Sequence, residues 1–353
     1  MKKYFFLFSG NNGATYIFNT SHWPAIKESL KFYKAFTLKG KIKKNILTCF
    51  LFAVVRFFPS YCKSIDDIKE YLKENVKSNI DFNLDTNSSV LISSTRDKVI
   101  VNHNGEYFHK FTFGKSFKKV QNESSIYKLL ENSKEFQIAN LKDLKIDKQD
   151  SSCNFKLMNP PANTNNQLKG INNLLLILVE FFNSGTQKET IKLTKYIENL
   201  LKRIHYLHLD PKNYLTNYFA KIQKKMHGVT IPLGLVHRDF KPWNTLLRDK
   251  LLIFDFEEAI TNGPPLEDLL NYYIDPVIRY QSSLKVYKII FSKANRLKYK
   301  EYLRFLNINI NFEILIITYT IERIVFWTKV GDLDTAKYYR SLLKFIILNY
   351  RPN

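Results

Sequence analysis

The sequence predicts an α+β chain in two lobes: a small antiparallel-sheet lobe with one helix, then a larger helical lobe, with an extension ahead of both. Three observations carry this. Short apolar segments at 89–93, 97–103 and 106–113 follow one another with turns between them, and Asn104-Gly105 is a dipeptide that two-residue hairpins favour. Asn159-Pro160-Pro161 and an Asn-rich run to Asn166 then break the pattern. From Leu168 onward apolar residues recur at helical spacing, interrupted by a β-rich stretch at 233–256.

The elements follow in order. Tyr4–Ser9 and Ala14–Asn19 read as a hairpin turning at Gly10-Asn11-Asn12-Gly13. Lys2 and Lys3 ahead of an apolar run could suggest a secretion signal, but the run is short and no small-residue cleavage site follows. Ser21 and Pro24 open a helix to about Phe36, and a second, apolar helix spans 45–58. Ser64 with Asp67 three residues on is a capping-box start for a helix to about Val76. After the three strands a helix is expected over 116–132, then strand-like runs at 136–146 and 153–158. Further helices are expected at 169–183, 188–208 and 213–226, and from about 260 to the end. The domains are thus 1–85 (extension), 86–160 (sheet lobe) and 161–353 (helical lobe).

Bulk composition narrows the function. Of 353 residues 45% are hydrophobic and 15% aromatic, enough for a substantial core rather than a disordered chain. The formal charge of +22 suits anionic partners, although Lys, Asn, Ile, Phe and Tyr are abundant together and composition alone accounts for part of it. No arginine-rich run or nucleic-acid module occurs, so no nucleic-acid partner is expected. The three cysteines form neither a metal-ligand pattern nor a disulfide framework, which fits a reducing, cytoplasmic setting.

The chemistry lies in Leu233–Ile260. Two apolar runs, Thr245–Leu247 and Leu251–Phe254, flank Arg248-Asp249-Lys250 and predict a tight hairpin. A hairpin brings its outer ends together, so Asn244 and Asp255 become neighbours. An amide oxygen beside a carboxylate is a hard-oxygen pair suited to Mg²⁺. Asp239, five residues before Asn244, is placed to orient or deprotonate an attacking hydroxyl.

The run HRDFKPWNTLL, His237 to Leu247, resembles the catalytic loop of the protein-kinase-like superfamily. Its continuation looks like the aminoglycoside phosphotransferase and choline kinase branch. Asp255-Phe256-Glu257 leads within about a dozen residues to Leu266-Glu267-Asp268 and the next helix, and no long activation segment or A-P-E follows. Arg238 departs from that branch, where glycine is usual.

This resemblance implies a protein-kinase-like fold, ATP and Mg²⁺ as cofactors, and roles for named residues. Asp239 would be catalytic and Lys241 would contact the γ-phosphate. Asn244 and Asp255 would hold metal, with Glu257 a weaker candidate for metal or acceptor. Lys110, on the third strand of the sheet lobe, would neutralise phosphate oxygens, and Glu123 on the following helix would pair with it. The turn at Ser94-Thr95 stands where a glycine-rich loop is usual, and Lys156-Leu157-Met158 would be the hinge whose backbone reads adenine. His237 and Asp268 would be structural supports.

The function so implied is transfer of the ATP γ-phosphoryl group to a hydroxyl of a small molecule, a sugar or glycan precursor. A choline-like or aminoglycoside acceptor ranks lower because few acids, among them Glu257, Glu258 and Glu267, are available for a cationic one. A nucleotide-binding pseudokinase is the non-catalytic alternative. Residues 1–60 carry ten Lys/Arg against one acid, Glu28. Packing of this extension on the sheet lobe is favoured over peripheral contact with an anionic membrane, and the two are compatible.

Overall fold

The computed structural model describes residues 4–10, 13–30, 38–76, 82–158, 174–185, 189–209, 214–247 and 250–349. The turn residues Asn11 and Asn12, the break at 159–166 and the hairpin tip Arg248-Asp249 lie outside them. The chain forms two compact units, 1–131 with 138–162, and 132–137 with 163–353.

In chain order the first unit holds β1 (Phe5–Ser9), β2 (Thr15–Asn19), α1 (Trp23–Ser29), α2 (Leu38–Phe57), α3 (Ile65–Val76), β3 (Ser88–Ile92), β4 (Lys98–His103), β5 (Tyr107–Phe113) and α4 (Phe117–Leu129). After β6 (Phe136–Ile138), whose first two residues belong to the second unit, β7 (Asn140–Asp147) and β8 (Ser152–Met158) complete it. Seven strands form one antiparallel sheet in the order β1-β2-β3-β4-β5-β8-β7.

The division expected at residue 85 is therefore not where contacts divide the chain. β2 pairs with β3 through Ile17 and Val90, so the N-terminal hairpin is the edge of the sheet. Alternation explains why. Phe5 and Ile17 join Val90, Val99, Val101 and Phe111 in a core covered by Ile68 and Leu72 of α3. Phe6, Phe8, Tyr16 and Phe18 face the other way, against Ile26 of α1 and Leu47 and Leu51 of α2. A hairpin apolar on both faces needs cover on both, and joining the sheet supplies it.

Several local expectations are met. The Ser64–Asp67 capping box forms reciprocally: the Ser64 N–H donates to Asp67 (2.8 Å) and the Asp67 N–H to the Ser64 hydroxyl (3.2 Å). Asn104 and Gly105 both take positive φ, 50° and 79°, as a type I′ turn requires. The helix expected at 45–58 is longer, starting at Leu38 and absorbing the basic segment. The strand expected over 136–146 is broken between β6 and β7.

The second unit holds α5 (Leu174–Asn183), β9 (Thr190–Lys192), α6 (Leu193–Tyr206), α7 (Tyr214–Met226), β10 (Thr230–Pro232), β11 (Gly234–Val236), β12 (Thr245–Leu247), β13 (Leu251–Ile253), β14 (Ile260–Gly263), α8 (Glu267–Ile274), α9 (Ser283–Ile290), α10 (Lys293–Phe305), α11 (Phe312–Val330) and α12 (Leu333–Asn349). Among the described residues it is helical apart from three small sheets, and buried residues of α11 and α12 contribute largely to its core. Gly234 and Gly263 face each other across β11 and β14. A Cβ on Gly234 would lie 2.5 Å from the Phe182 carbonyl oxygen, so glycine is required where α5 crosses the ladder.

One buried group in the sheet sets a pH dependence. His109 in β5 is 5% exposed, packed on the Phe111 ring, and burial lowers its pKa to about 4. It stays neutral when folded and protonates near 6.5 when unfolded, so its contribution is full above that value and is lost as pH falls toward about 4. Denaturant unfolding should show the wild type losing about 2 kcal/mol more than His109→Gln between pH ~7 and ~5. Parallel losses in the two proteins would remove His109 as the cause.

Candidate active site

In the first unit, strand register places Lys110 on the same sheet face as Leu91, Ile100 and Phe155. That face carries α4. The Lys110 ammonium donates to both carboxylate oxygens of Glu123 at 2.8 Å, and both residues are buried. The pairing inferred from strand order is thus present. Removing two charges from water costs as much as, or more than, their attraction returns. An apolar pair would hold this helix at least as well, so the ion pair points to a use other than stability.

The other residues expected in this unit fare differently. Ser94 and Thr95 are exposed in the β3–β4 turn, where Thr95 hydrogen bonds to Asp97 and Ser93 donates to the same carboxylate at 3.2 Å. An acid inside the turn opposes a phosphate. The hinge expected at Lys156-Leu157-Met158 falls on β8. These residues pair with Tyr107–His109 on one side and with Asn140–Lys142 on the other. They are thus shared between two ladders, and Met158 is the last residue of a central strand.

In the second unit the loop between β11 and β12 is built from buried supports outward. β12 and β13 pair as a hairpin with Thr245 opposite Ile253, and the Phe254 N–H donates to the Asn244 carbonyl at 3.2 Å. Asn244 and Asp255 therefore flank adjacent strand ends, as the sequence requires. Asp255 adopts left-handed φ (72°), which Asp tolerates better than most residues. The Asn244 amide donates to the Asp239 carbonyl (2.9 Å) and to its carboxylate (2.7 Å), which turns its own oxygen the other way. Carboxylate oxygens of Asp255 and Glu257 lie within 4.8 Å of one another. Asn244, Asp255 and Glu257 together offer the hard-oxygen donor set that Mg²⁺ takes, and Glu257 gains weight over its sequence ranking.

His237 supports the loop. The Asp239 N–H donates to its Nδ1 (3.3 Å), so Nε2 carries the hydrogen and donates to the Phe254 carbonyl (3.0 Å). Full burial lowers its pKa, which keeps this neutral form. Phe256 and Phe181 stack at 6.0 Å beneath it.

Asp268, in the first turn of α8, accepts the backbone N–H groups of His237 (2.7 Å) and Arg238 (2.9 Å). Burial pushes its carboxyl up to about 7, and these two donors oppose the shift. Arg238 sits at φ 62°, a left-handed conformation that explains why glycine is usual at this position in the resembled branch. Here the side chain recovers part of that cost by donating to buried Glu267 (3.3 Å) and lying 5.2 Å above the Phe326 ring.

Lys241 is not a free surface charge. Its ammonium is ion-paired with Asp239 and lies 3.2 Å from Asp275. Burial would raise the Asp275 carboxyl, but Arg323 at 2.9 Å, Lys241 and the Tyr339 hydroxyl hold it below the usual range. Arg323 is fully buried and also donates to the Arg238 carbonyl (2.9 Å). Sequence reading missed Asp275, Arg323 and Tyr339. The available signal was one arginine inside the apolar run of α11.

Residues 180–289 match the phosphotransferase enzyme family, APH. That span contains β11 to β14 and α8, hence the whole loop just described. The matched span points to a kinase-type phosphotransferase with a hydroxyl acceptor, and it is similar to the aminoglycoside phosphotransferase-like branch that the sequence resembles.

Among solved structures the chain is similar to the GDP and kanamycin complex of APH(2″)-IIia, at 14% identity, covering 81% of this chain and 99% of that one with a TM-score of 0.47. It is also similar to a thermostable mutant of aminoglycoside phosphotransferase APH(4)-Ia with ADP and hygromycin B, at 12% identity, 81% and 100% coverage and a TM-score of 0.47. A putative aminoglycoside phosphotransferase from Ralstonia eutropha gives 10%, 80%, 97% and 0.47. No curated protein matches. The reading of the site stands on this chain's own residues.

The buried pair in the first unit can be tested directly. Lys110→Met alone should cost about 3–5 kcal/mol, because Glu123 is left charged and buried. Lys110→Met with Glu123→Leu should restore stability to the wild-type level or above. A double variant as unstable as the single one would show that the pair is structural.

Proposed function

We propose that this protein transfers the γ-phosphoryl group of ATP, with Mg²⁺, to a hydroxyl of a sugar-like small molecule. The observation that carries the proposal is the loop at 237–244, where the Asp239 carboxylate is held by the Asn244 amide and the Lys241 ammonium. A carboxylate fixed by two donors is aimed, and it can orient an acceptor hydroxyl and take its proton as the O–P bond forms.

The remaining roles follow from each unit. In the first, Lys110 would neutralise phosphate oxygens while Glu123 fixes its position. In the second, Asn244 and Asp255, with Glu257, would hold Mg²⁺, which supplies charge neutralisation at the transferring phosphoryl group. Lys241 would pass from Asp239 toward the γ-phosphoryl oxygens as negative charge enters. The bend at 237–238 is held by Asp268.

A sugar-like acceptor is supported by two indole rings, Trp243 and Trp327, each with its centroid 5.7 Å from the Lys241 ammonium. Flat apolar faces beside a carboxylate suit a polyhydroxylated ring. Lys241 and Arg279, the latter 5.2 Å from Trp327, disfavour a polycationic acceptor. A cytoplasmic setting, where ATP is available, belongs to the same proposal.

ATP turnover with Mg²⁺ against sugars, glycan precursors, choline and aminoglycosides tests this. A sugar should stimulate turnover, and Asp239→Asn should lower it by about 10²–10⁴-fold with ATP binding retained. Absence of Mg²⁺-ATP binding by the wild type would overturn the enzyme reading. Stimulation by choline or an aminoglycoside alone would overturn the acceptor class.

Asn244→Ala supplies a second check. The variant should need a higher Mg²⁺ concentration for half-maximal turnover, because one ligand is lost. An unchanged Mg²⁺ requirement would remove Asn244 from the metal site.

A further inference from the structure

From the outer face of α2 we infer a second functional surface, one that docks this protein onto an anionic lipid bilayer. The helix is apolar on two sides. Leu47, Leu51 and Val54, spaced at i, i+4 and i+7, face inward, and Leu47 and Leu51 pack with Phe18 and Ile26. Ile42, Ile46, Phe50 and Phe57, at i, i+4, i+8 and i+15, form a second stripe turned to solvent. Ile46 is 63% exposed and Phe57 68%, and Phe58 and Tyr61 continue the apolar surface beyond the helix end. Eight of the twenty exposed large hydrophobic residues among the described residues fall between Trp23 and Tyr61. A helix apolar all round is normally buried all round, and a clustered patch of this kind marks an interaction surface.

Charge identifies the partner. No Asp or Glu occurs between Glu28 and Asp66, whereas eight Lys or Arg residues do. Lys43, Arg56 and Lys63 are exposed within the described part. An acid-free segment that combines exposed aliphatic and aromatic side chains with lysines matches the boundary between acyl chains and anionic headgroups. A protein partner of ordinary mixed charge would be met by some acids. Among the described residues no helix is long and apolar enough to cross a membrane, so the contact is peripheral, with α2 lying in the interface. Packing of the extension on the sheet uses one face of α2, and the inferred membrane contact uses the neighbouring face, whose Phe50 also meets Phe6 edge-on.

The surface belongs to the first unit alone and does not depend on the reaction proposed for the loop. Co-sedimentation of the full chain with vesicles tests it, using phosphatidylcholine alone and phosphatidylcholine mixed with phosphatidylglycerol. The wild type should bind the mixed vesicles and should be released by salt. Ile42→Ser with Ile46→Ser and Phe57→Ser should lower partitioning by more than about tenfold. Lys43→Gln with Arg56→Gln, two exposed positions where folding is not at stake, should lower it by about tenfold. No wild-type binding, or binding unchanged in both variants, would overturn the inference. So would sedimentation velocity showing a dimer that the apolar substitutions abolish while vesicles bind nothing, since the face would then join two copies.

Discussion

The loop at 237–244 depends on one buried carboxylate. Asp268 accepts two consecutive backbone N–H groups, those of His237 and Arg238. A chain that turns through a left-handed residue leaves such donors without strand or helix partners, and orphaned buried donors cost about 1–3 kcal/mol each. Supplying both acceptors from the first turn of α8 also puts the acid where the helix dipole favours it. With the bend held, His237 takes one tautomer, Asp239 projects from a fixed backbone, and Asn244 reaches back to it across five residues.

A second layer explains why Lys241 lies where it does. Asp275 is shared by Arg323, Lys241 and Tyr339, and Arg323 in turn reaches the Arg238 carbonyl. The bend is thus gripped through its N–H groups by α8 and through a carbonyl by α11. Buried charges of this kind are retained at the expense of an apolar core. The same reasoning applies to Lys110 and Glu123 in the first unit, where two charges occupy a place that Met and Leu would fill. In both units buried charge is kept where apolar side chains would fit.

How much of this was legible in the sequence depended on the range of the interaction. Asn244 and Asp255 are joined by a short hairpin, and Lys110 and Glu123 by a strand-to-helix step of thirteen residues, so local pattern located them. Asp275 meets Arg323 across 48 residues and Tyr339 across 64. Those partners lie on helices whose periodicity gives a buried face but no pairing. The strand neighbours of the expected hinge were hidden for a related reason. Lys156–Met158 reads as a strand, but only register shows that β7 occupies its second edge. The closeness of Glu257 to Asp255 depends on the irregular turn after β13, which local pattern does not give.

The N-terminal segment shows the opposite limit. Its charge was plain from composition and its helix from periodicity, yet neither says which face is covered. Leu47 and Leu51 are indistinguishable in kind from Ile42 and Ile46, and both sets recur at helical spacing. The choice is made by β1 and β2, whose Phe6, Phe8, Tyr16 and Phe18 offer one apolar surface the width of one helix face. Once that surface is occupied the remaining stripe stays outward. Its exposure costs stability in water, about 25 cal/mol for each square ångström left uncovered. The same stripe placed against acyl chains recovers that free energy, and the lysines around it add attraction to anionic headgroups. A surface unfavourable in water and favourable at an interface would act as a sorting device, holding the sheet-bearing unit at such an interface under the inference drawn above.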